Sequence, residues 1–301
     1  MRIVLTFPKI IYLISLSFLV QLMIPSCCSC STSDAPIKKE SKDNLKKEIS
    51  IKKDTSFFVE KTAVDIQVPT GKITGAILIL PGWNFSRTDC CQKSKFCQKA
   101  KELGFLLVMP EMAKSVYAPK VYKETRVDWK KYPTRTWLID TLINVLQEKF
   151  NIFIKGENNF IYGISTGARG VALVALHTEN VFLAGAALSG DYDQTLMKTD
   201  NLMKGFYGSY EKFKSRWEGD ENPFLSASKI KIPLYLGHGE KDVVVSVSQT
   251  KQFYKKLKEI NPLTKSVLKI SPADGHNYSF WDSQTEAVLK FFLSLESKNK
   301  E

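Results

Sequence analysis

The stretch FIYGISTGARG, residues 160–170, sets Gly163, Ser165 and Gly167 in a Gly-x-Ser-x-Gly pattern. A serine hydroxyl is a weak nucleophile near neutral pH and attacks a carbonyl only with a base in contact. The same pattern also suits a strand that runs into a helix through small, turn-forming residues. The two readings part on whether the rest of the chain supplies a base, an acid and donors for a developing oxyanion.

The chain has three histidines. His177 lies late in the helical stretch after Ser165, facing away from it. His238 lies in GHGEKD, just before an acid. His276 lies in ADGHNYSFW, in a loop between an expected strand and the last helix. Of the three, His276 alone follows both the serine and a candidate acid. That acid is Asp242, in the loop after IPLYLGHG. Ligand sites in open α/β sheets gather beyond the carboxyl ends of strands, and a carboxylate there would orient the imidazole and stabilise its charged form. Glu240 is the alternative acid, and Asp274 reads as a loop former. If Ser165 were an ordinary turn serine, Ser189 in LSGD would be the next nucleophile to examine.

The elements that must carry these residues follow from apolar patterning. FFVEKTAVDIQVP alternates enough for early strands. GAILILPG, FLLVMPE, NFIYGIS, VFLAGAALSG, IPLYLGHG and SVLKIS are short apolar runs between turn residues, the mark of buried strands. Between them, KFCQKAKELG, PTRTWLIDTLINVLQEKFN with Thr134 as N-cap, TGARGVALVALHTEN and SQTKQFYKKLKEI read as helices, with a last helix from about Asp282 to Leu293. Strands and helices alternating from Ala76 onward predict an α/β fold, a parallel sheet with helices on both faces. A polar and aromatic insertion at 191–228 interrupts the alternation. Its Phe206, Tyr207, Tyr210, Phe213 and Trp217 either wall a pocket or pack the insertion's own core. With 44% hydrophobic residues, one catalytic domain over 56–301 is expected.

The order Ser165, Asp242, His276, each after a strand, resembles the α/β-hydrolase superfamily. GHGEKDVVVSVSQTKQF is similar to its acid loop, and DGHNYSFWDSQTEAVLKFF to the histidine loop of secreted esterases, the feruloyl-esterase-like group included. The resemblance covers about Ala76 to Leu293. It implies a strained turn presenting Ser165, hydrolysis of carboxylic esters through an acyl-enzyme, a small-molecule or carbohydrate-linked ester as substrate, and neither cofactor nor metal. It also implies an oxyanion hole of two backbone N–H groups, one from Thr166. The second would come from the turn after an early strand. LPGWN stands there, with Pro81 in place of the usual histidine and Trp83 as the second donor, and Asn84 could add its side chain. Acyl transfer and peptide hydrolysis would use the same triad, and a scaffold that only binds is the non-catalytic alternative. A peptidase is disfavoured here by the lack of a large accessory domain.

The first 26 residues read as an export leader, with Arg2 and Lys9 ahead of the apolar run IIYLISLSFLVQLMI. IPSC, ending at Cys27, resembles the cleavage box of bacterial lipoproteins, which implies acylation of Cys27 and a membrane anchor. An uncleaved spanning segment and a soluble secreted form are the alternatives. Residues 27–55 are polar and lysine-rich and read as a flexible tether. The net charge of +12 comes from scattered lysines, with no aromatic-interleaved basic motif, so a nucleic-acid partner is not expected. Cys90, Cys91 and Cys97 suit a disulfide better than zinc. In one continuous helix Cys90 and Cys97 would be about 10 Å apart along the axis. A helix starting near Ser94 would instead let Cys90 or Cys91 reach Cys97.

Changing Cys27 to serine is expected to release the protein from membranes on fractionation; unchanged partitioning would favour the uncleaved spanning segment.

Overall fold

The structure, a computed structural model, describes residues 48–296. The leader, Cys27 and the tether as far as residue 47 lie outside the described residues. Strands β1 (Thr55–Val59) and β2 (Thr62–Gln67) form a hairpin, and β3 (Gly75–Leu80) follows. Two short helices, α1 (Asp89–Lys93) and α2 (Phe96–Glu102), lead to β4 (Phe105–Pro110). A π-helical segment, Trp137–Ile143, runs into α3 (Asn144–Phe150), then come β5 (Asn159–Ile164), α4 (Thr166–His177) and β6 (Ala184–Leu188). The insertion holds α5 (Asn201–Tyr207) and α6 (Lys214–Trp217). The chain closes with β7 (Leu234–Gly239), α7 (Val247–Ile260), β8 (Val267–Ser271), α8 (Tyr278–Ser283) and α9 (Thr285–Leu293).

The strands form one sheet in the order β1-β2-β4-β3-β5-β6-β7-β8. The β1–β2 and β2–β4 pairs are antiparallel and every other pair is parallel. Both faces are covered, and β3 shows how. Ala76, Leu78 and Leu80 enter a core with Leu142, Leu146, Val171 and Phe253, whereas Ile77 and Ile79 enter another with Phe96, Ala100, Leu289 and Phe292. A strand buried on both sides needs a continuous apolar run, which is why these strands show little alternation. The architecture is the covered, mostly parallel sheet expected from the order of elements, and the α/β-hydrolase fold that the resemblance implies.

The chain departs from the sequence reading in three places. Ile51 is buried in the first core and Ser50 N–H donates to the Phe150 carbonyl at 3.1 Å, so packing begins ahead of Ser56. The apolar pair Ile49 and Ile51 is enough to hold this stretch despite its lysines. The last helix is two helices: Asn277 caps α8 by accepting from Phe280 N–H at 3.0 Å, so helix begins one residue after Asn277 rather than near Asp282. Thr134 does cap its helix, accepting from Trp137 N–H at 3.2 Å, but the helix then widens into the π-helical segment.

Ser94 separates α1 from α2. Its hydroxyl donates to the Cys90 carbonyl at 2.7 Å and accepts from Phe96 N–H at 3.3 Å. The break brings the Cα atoms of Cys91 and Cys97 to 5.0 Å, and these two form a disulfide. Cys90 stays a free, buried thiol, pushed up to about 12 by its burial.

The bridge joins residues six apart in sequence. Closing so short a loop is worth about 2 kcal/mol in the chain-entropy account. A thiol reductant is therefore expected to lower the melting temperature by roughly 5 °C, read by thermal denaturation with and without it.

Candidate active site

Ser165 stands between β5 and α4 with φ 53° and ψ −125°, in the left-handed half of backbone space that a residue with a Cβ rarely occupies. Its N–H donates to the Leu188 carbonyl at 2.8 Å, and its hydroxyl makes no cap bond to the helix, so Oγ is left for other work. The turn closes only because its neighbours are small. A Cβ on Gly167 would collide with the Leu80 carbonyl oxygen, and one on Gly163 with the carbonyl of Gly167. A Cβ on Gly82 would stand 3.1 Å from the Cβ of Ser165. The start of α4 therefore lies directly on the loop that follows β3.

His276 reaches the serine from the loop between β8 and α8. Its Nε2 is 2.9 Å from Ser165 Oγ and its Nδ1 is 2.6 Å from Asp242 Oδ2. Trp281 backs the imidazole edge-on at 5.2 Å between ring centroids. The other carboxylate oxygen of Asp242, Oδ1, accepts from Val244 and Val245 N–H, both at 2.8 Å. Burial alone would raise this carboxyl, but His238, His276 and the Val245 N–H outweigh it and hold the group well below the usual carboxylate range. The acid and histidine loops are joined by backbone bonds: Lys241 N–H to the Asp274 carbonyl at 2.9 Å, and Glu240 N–H to the Ser271 carbonyl at 2.8 Å.

Glu240, the alternative acid, pairs at the surface with Lys251 at 2.9 Å and is not bonded to the imidazole. Asp274 accepts from the Ser271 hydroxyl, as a loop former should. Ser189 is fully buried and accepts from Trp281 Nε1 at 3.1 Å, so it is no alternative nucleophile. His177 is exposed at the end of α4.

Of the two expected oxyanion donors, Thr166 follows the serine in sequence, and Trp83 belongs to the loop after β3 that packs on it. Thr166 is the first residue of α4, so its N–H points out of the helix without an intrahelical acceptor. Trp83 directly follows Gly82, the residue packed on Ser165. The next N–H along, that of Asn84, is spent on the Ala113 carbonyl at 2.8 Å. Tyr117, fully buried, donates its hydroxyl to the Pro81 carbonyl at 2.7 Å and so anchors this loop from below.

The insertion is tied to the site by two contacts that sequence alone did not reveal. Trp83 packs edge-on against Trp129 at 4.7 Å, and Trp129 shares a core with Phe206, Tyr207 and Trp217. These three are buried packing residues rather than pocket walls; Tyr210 and Phe213 remain half-buried. Arg169, one turn along α4 from Ser165 and wholly buried, donates to Asp191 Oδ2 at 2.9 Å and to the Tyr207 hydroxyl at 3.0 Å. An apolar-looking helix with a lone arginine was the only signal for it. His238 is the other surprise: it lies at the end of β7 with Nε2 3.1 Å from Asp242 Oδ2.

A serine on a strained turn, an imidazole touching it and a carboxylate behind that imidazole can together activate a hydroxyl for attack on a carbonyl. The family model for the prolyl oligopeptidase family matches residues 115–296, which spans Ser165, Asp242 and His276. The chain belongs to the prolyl oligopeptidase family. It is a hydrolase of the serine type on an α/β-hydrolase fold. A probable chloroplastic glutamyl endopeptidase of Oryza sativa subsp. japonica is 33% identical over 150 residues, 45% of this chain and 15% of that protein. The match thus spans only a small part of the relative's length. Among solved structures, the fluorophosphonate-binding serine hydrolase F of Staphylococcus aureus shares the fold with a TM-score of 0.62 at 16% identity, over 80% of this chain and 99% of that one. The acylaminoacyl peptidase of Pyrococcus horikoshii does so with a TM-score of 0.62 at 16% identity, over 83% of this chain and 42% of that one. The chain thus covers less than half of that peptidase's length and nearly all of the staphylococcal hydrolase's.

Gly167→Ala is expected to lower stability by about 3 kcal/mol, as a methyl forced against a backbone carbonyl does. Gly71→Ala, at a position with nothing within 4 Å, is the control and should be near neutral. Chemical denaturation of the two variants checks both.

Proposed function

We propose that this member of the prolyl oligopeptidase family hydrolyses carboxylic esters through an acyl-enzyme on Ser165. The observation that carries the reading is the unbroken contact series from Ser165 Oγ to His276 Nε2 at 2.9 Å and from His276 Nδ1 to Asp242 Oδ2 at 2.6 Å. In this reading Ser165 attacks the substrate carbonyl while His276 takes its proton. Thr166 and Trp83 N–H groups stabilise the oxyanion. The protonated imidazole then hands the proton to the leaving alcohol, and water repeats the cycle to release the acid. Asp242 stays ionised throughout and stabilises the imidazolium, which needs no cofactor.

A second reading, hydrolysis of a peptide bond, is favoured by the family match and by the rice relative's description. The chemistry of the triad is common to both, and the leaving group differs. We propose further that the enzyme is exported and held at a membrane through Cys27. The leader sequence supports this, as does the Cys91–Cys97 disulfide, a bond that persists in oxidising compartments.

Ser165→Ala should abolish both labelling by a fluorophosphonate and turnover, with circular dichroism unchanged. Asp242→Asn should cut turnover by about 10⁴-fold, because the imidazole loses the partner that sets its tautomer, and Glu240→Gln should change it little. An ester and an amide of the same acyl group, compared by kcat/KM, decide between the two readings: cleavage of the amide at a comparable rate would establish the peptidase.

A further inference from the structure

His238 is a wholly buried imidazole at the carboxyl end of β7, and the triad as described makes no use of it. Its Nε2 lies 3.0 Å from the Val245 carbonyl oxygen and 3.1 Å from Asp242 Oδ2. Both oxygens only accept, so Nε2 must carry the proton. Its Nδ1 lies 2.6 Å from the Thr250 hydroxyl of α7, which can donate to a bare nitrogen. The two acceptors on the Nε2 side therefore place a proton there, with the Thr250 hydroxyl as the partner of Nδ1.

We infer that His238 is a positioning residue that clamps the acid loop and moderates the hold of Asp242 on His276. The inference rests on Ser165, His276 and Asp242 being the reacting triad. The clamp is geometric. Val245 N–H binds Asp242 Oδ1, and the Val245 carbonyl binds His238, so the turn from 242 to 245 is closed from both sides. The moderation is electrostatic. Asp242 Oδ2 faces two imidazoles, His276 Nδ1 at 2.6 Å and His238 Nε2 at 3.1 Å. The N–H dipole of His238 takes up part of the negative charge that would otherwise favour protonation of His276. The other charged groups nearby are engaged elsewhere. Glu240 pairs with Lys251, Asp274 accepts from Ser271, and Arg169 of α4 pairs with Asp191.

The sign follows. A general base must be neutral to act, so activity falls at low pH as it takes up a proton. Removing the His238 N–H leaves Asp242 more negative toward His276, favours the imidazolium there, and moves the acid limb of the activity profile to higher pH. A purely structural role would lower activity alike at every pH.

The test uses the rate of fluorophosphonate labelling of the full chain, which requires an activated serine but no known substrate. It is followed over about pH 5 to 8, where an imidazole titrates. His238→Leu is expected to label roughly tenfold more slowly near neutrality, with its acid limb raised by about half a unit to one unit. His238→Gln, which can offer an N–H near the place of Nε2, should return the limb to its wild-type position. An unmoved limb in a folded His238→Leu, or a glutamine variant as displaced as the leucine one, would overturn the inference. Nitrogen-15 spectra of the wild-type histidines give a reading that depends on no variant's folding: a proton on Nδ1 of His238 at neutral pH would also overturn it. If wild type fails to label, or Ser165→Ala labels equally well, the triad reading falls and this inference with it; labelling by wild type alone leaves the triad standing whatever His238 does.

Discussion

The backbone of Ser165 sits at φ 53°, a conformation that costs free energy and persists only where the surroundings over-determine it. Three things hold it. The Ser165 N–H is committed to Leu188 on the neighbouring strand, Gly163 and Gly167 give up their side chains, and the loop after β3 presses on the turn through Gly82. The sheet order makes this meeting unavoidable. β3 lies between β4 and β5, so the loops leaving β3 and β5 emerge side by side at the same edge. Ser165 after β5 and the backbone N–H of Trp83 after β3 are thus brought to one edge by topology, before any side chain is chosen.

The imidazole and its carboxylate are held to a similar standard by different means. They come from loops 34 residues apart in sequence, after β7 and β8, which pair in parallel. The two loops are cross-linked through main-chain bonds on Asp274 and Ser271. Asp242 has both oxygens occupied, Oδ1 by two backbone N–H groups and Oδ2 by two imidazoles. A carboxylate so placed has little freedom to rotate, and the ring it touches inherits that restriction.

The sequence carried the parts of this arrangement that depend on order and local patterning. Apolar runs such as GAILIL and NFIYGI mark strands buried on both faces, and Gly-x-Ser-x-Gly between a strand and a helix marks a tight turn. Ser165, Asp242 and His276 stood out because each follows such a run. What it did not carry are choices settled at long range. GHGEKD offers a histidine four residues before the aspartate, but nothing local says that its ring turns inward to meet Asp242. The arginine in STGARG looks like any helix-surface charge until Asp191 and Tyr207 arrive from the insertion. Which of Cys90 and Cys91 bridges to Cys97 depends on a break at Ser94 that is made by one hydroxyl. The early start of packing at Ile51 depends on Phe150, about a hundred residues downstream.

Arg169 also bears on how freely the insertion can move. Its guanidinium is buried between α4 and the insertion, and burial works against its charge while Tyr207 and Asp191 sustain it. An insertion that swung away would strand that cation among apolar side chains, or would have to let water follow it in, and breaking a buried pair typically costs about 3–5 kcal/mol. Any outward movement of the insertion therefore has to break the bonds that Arg169 makes to Asp191 and Tyr207, which ties its position to the helix that begins at the serine turn.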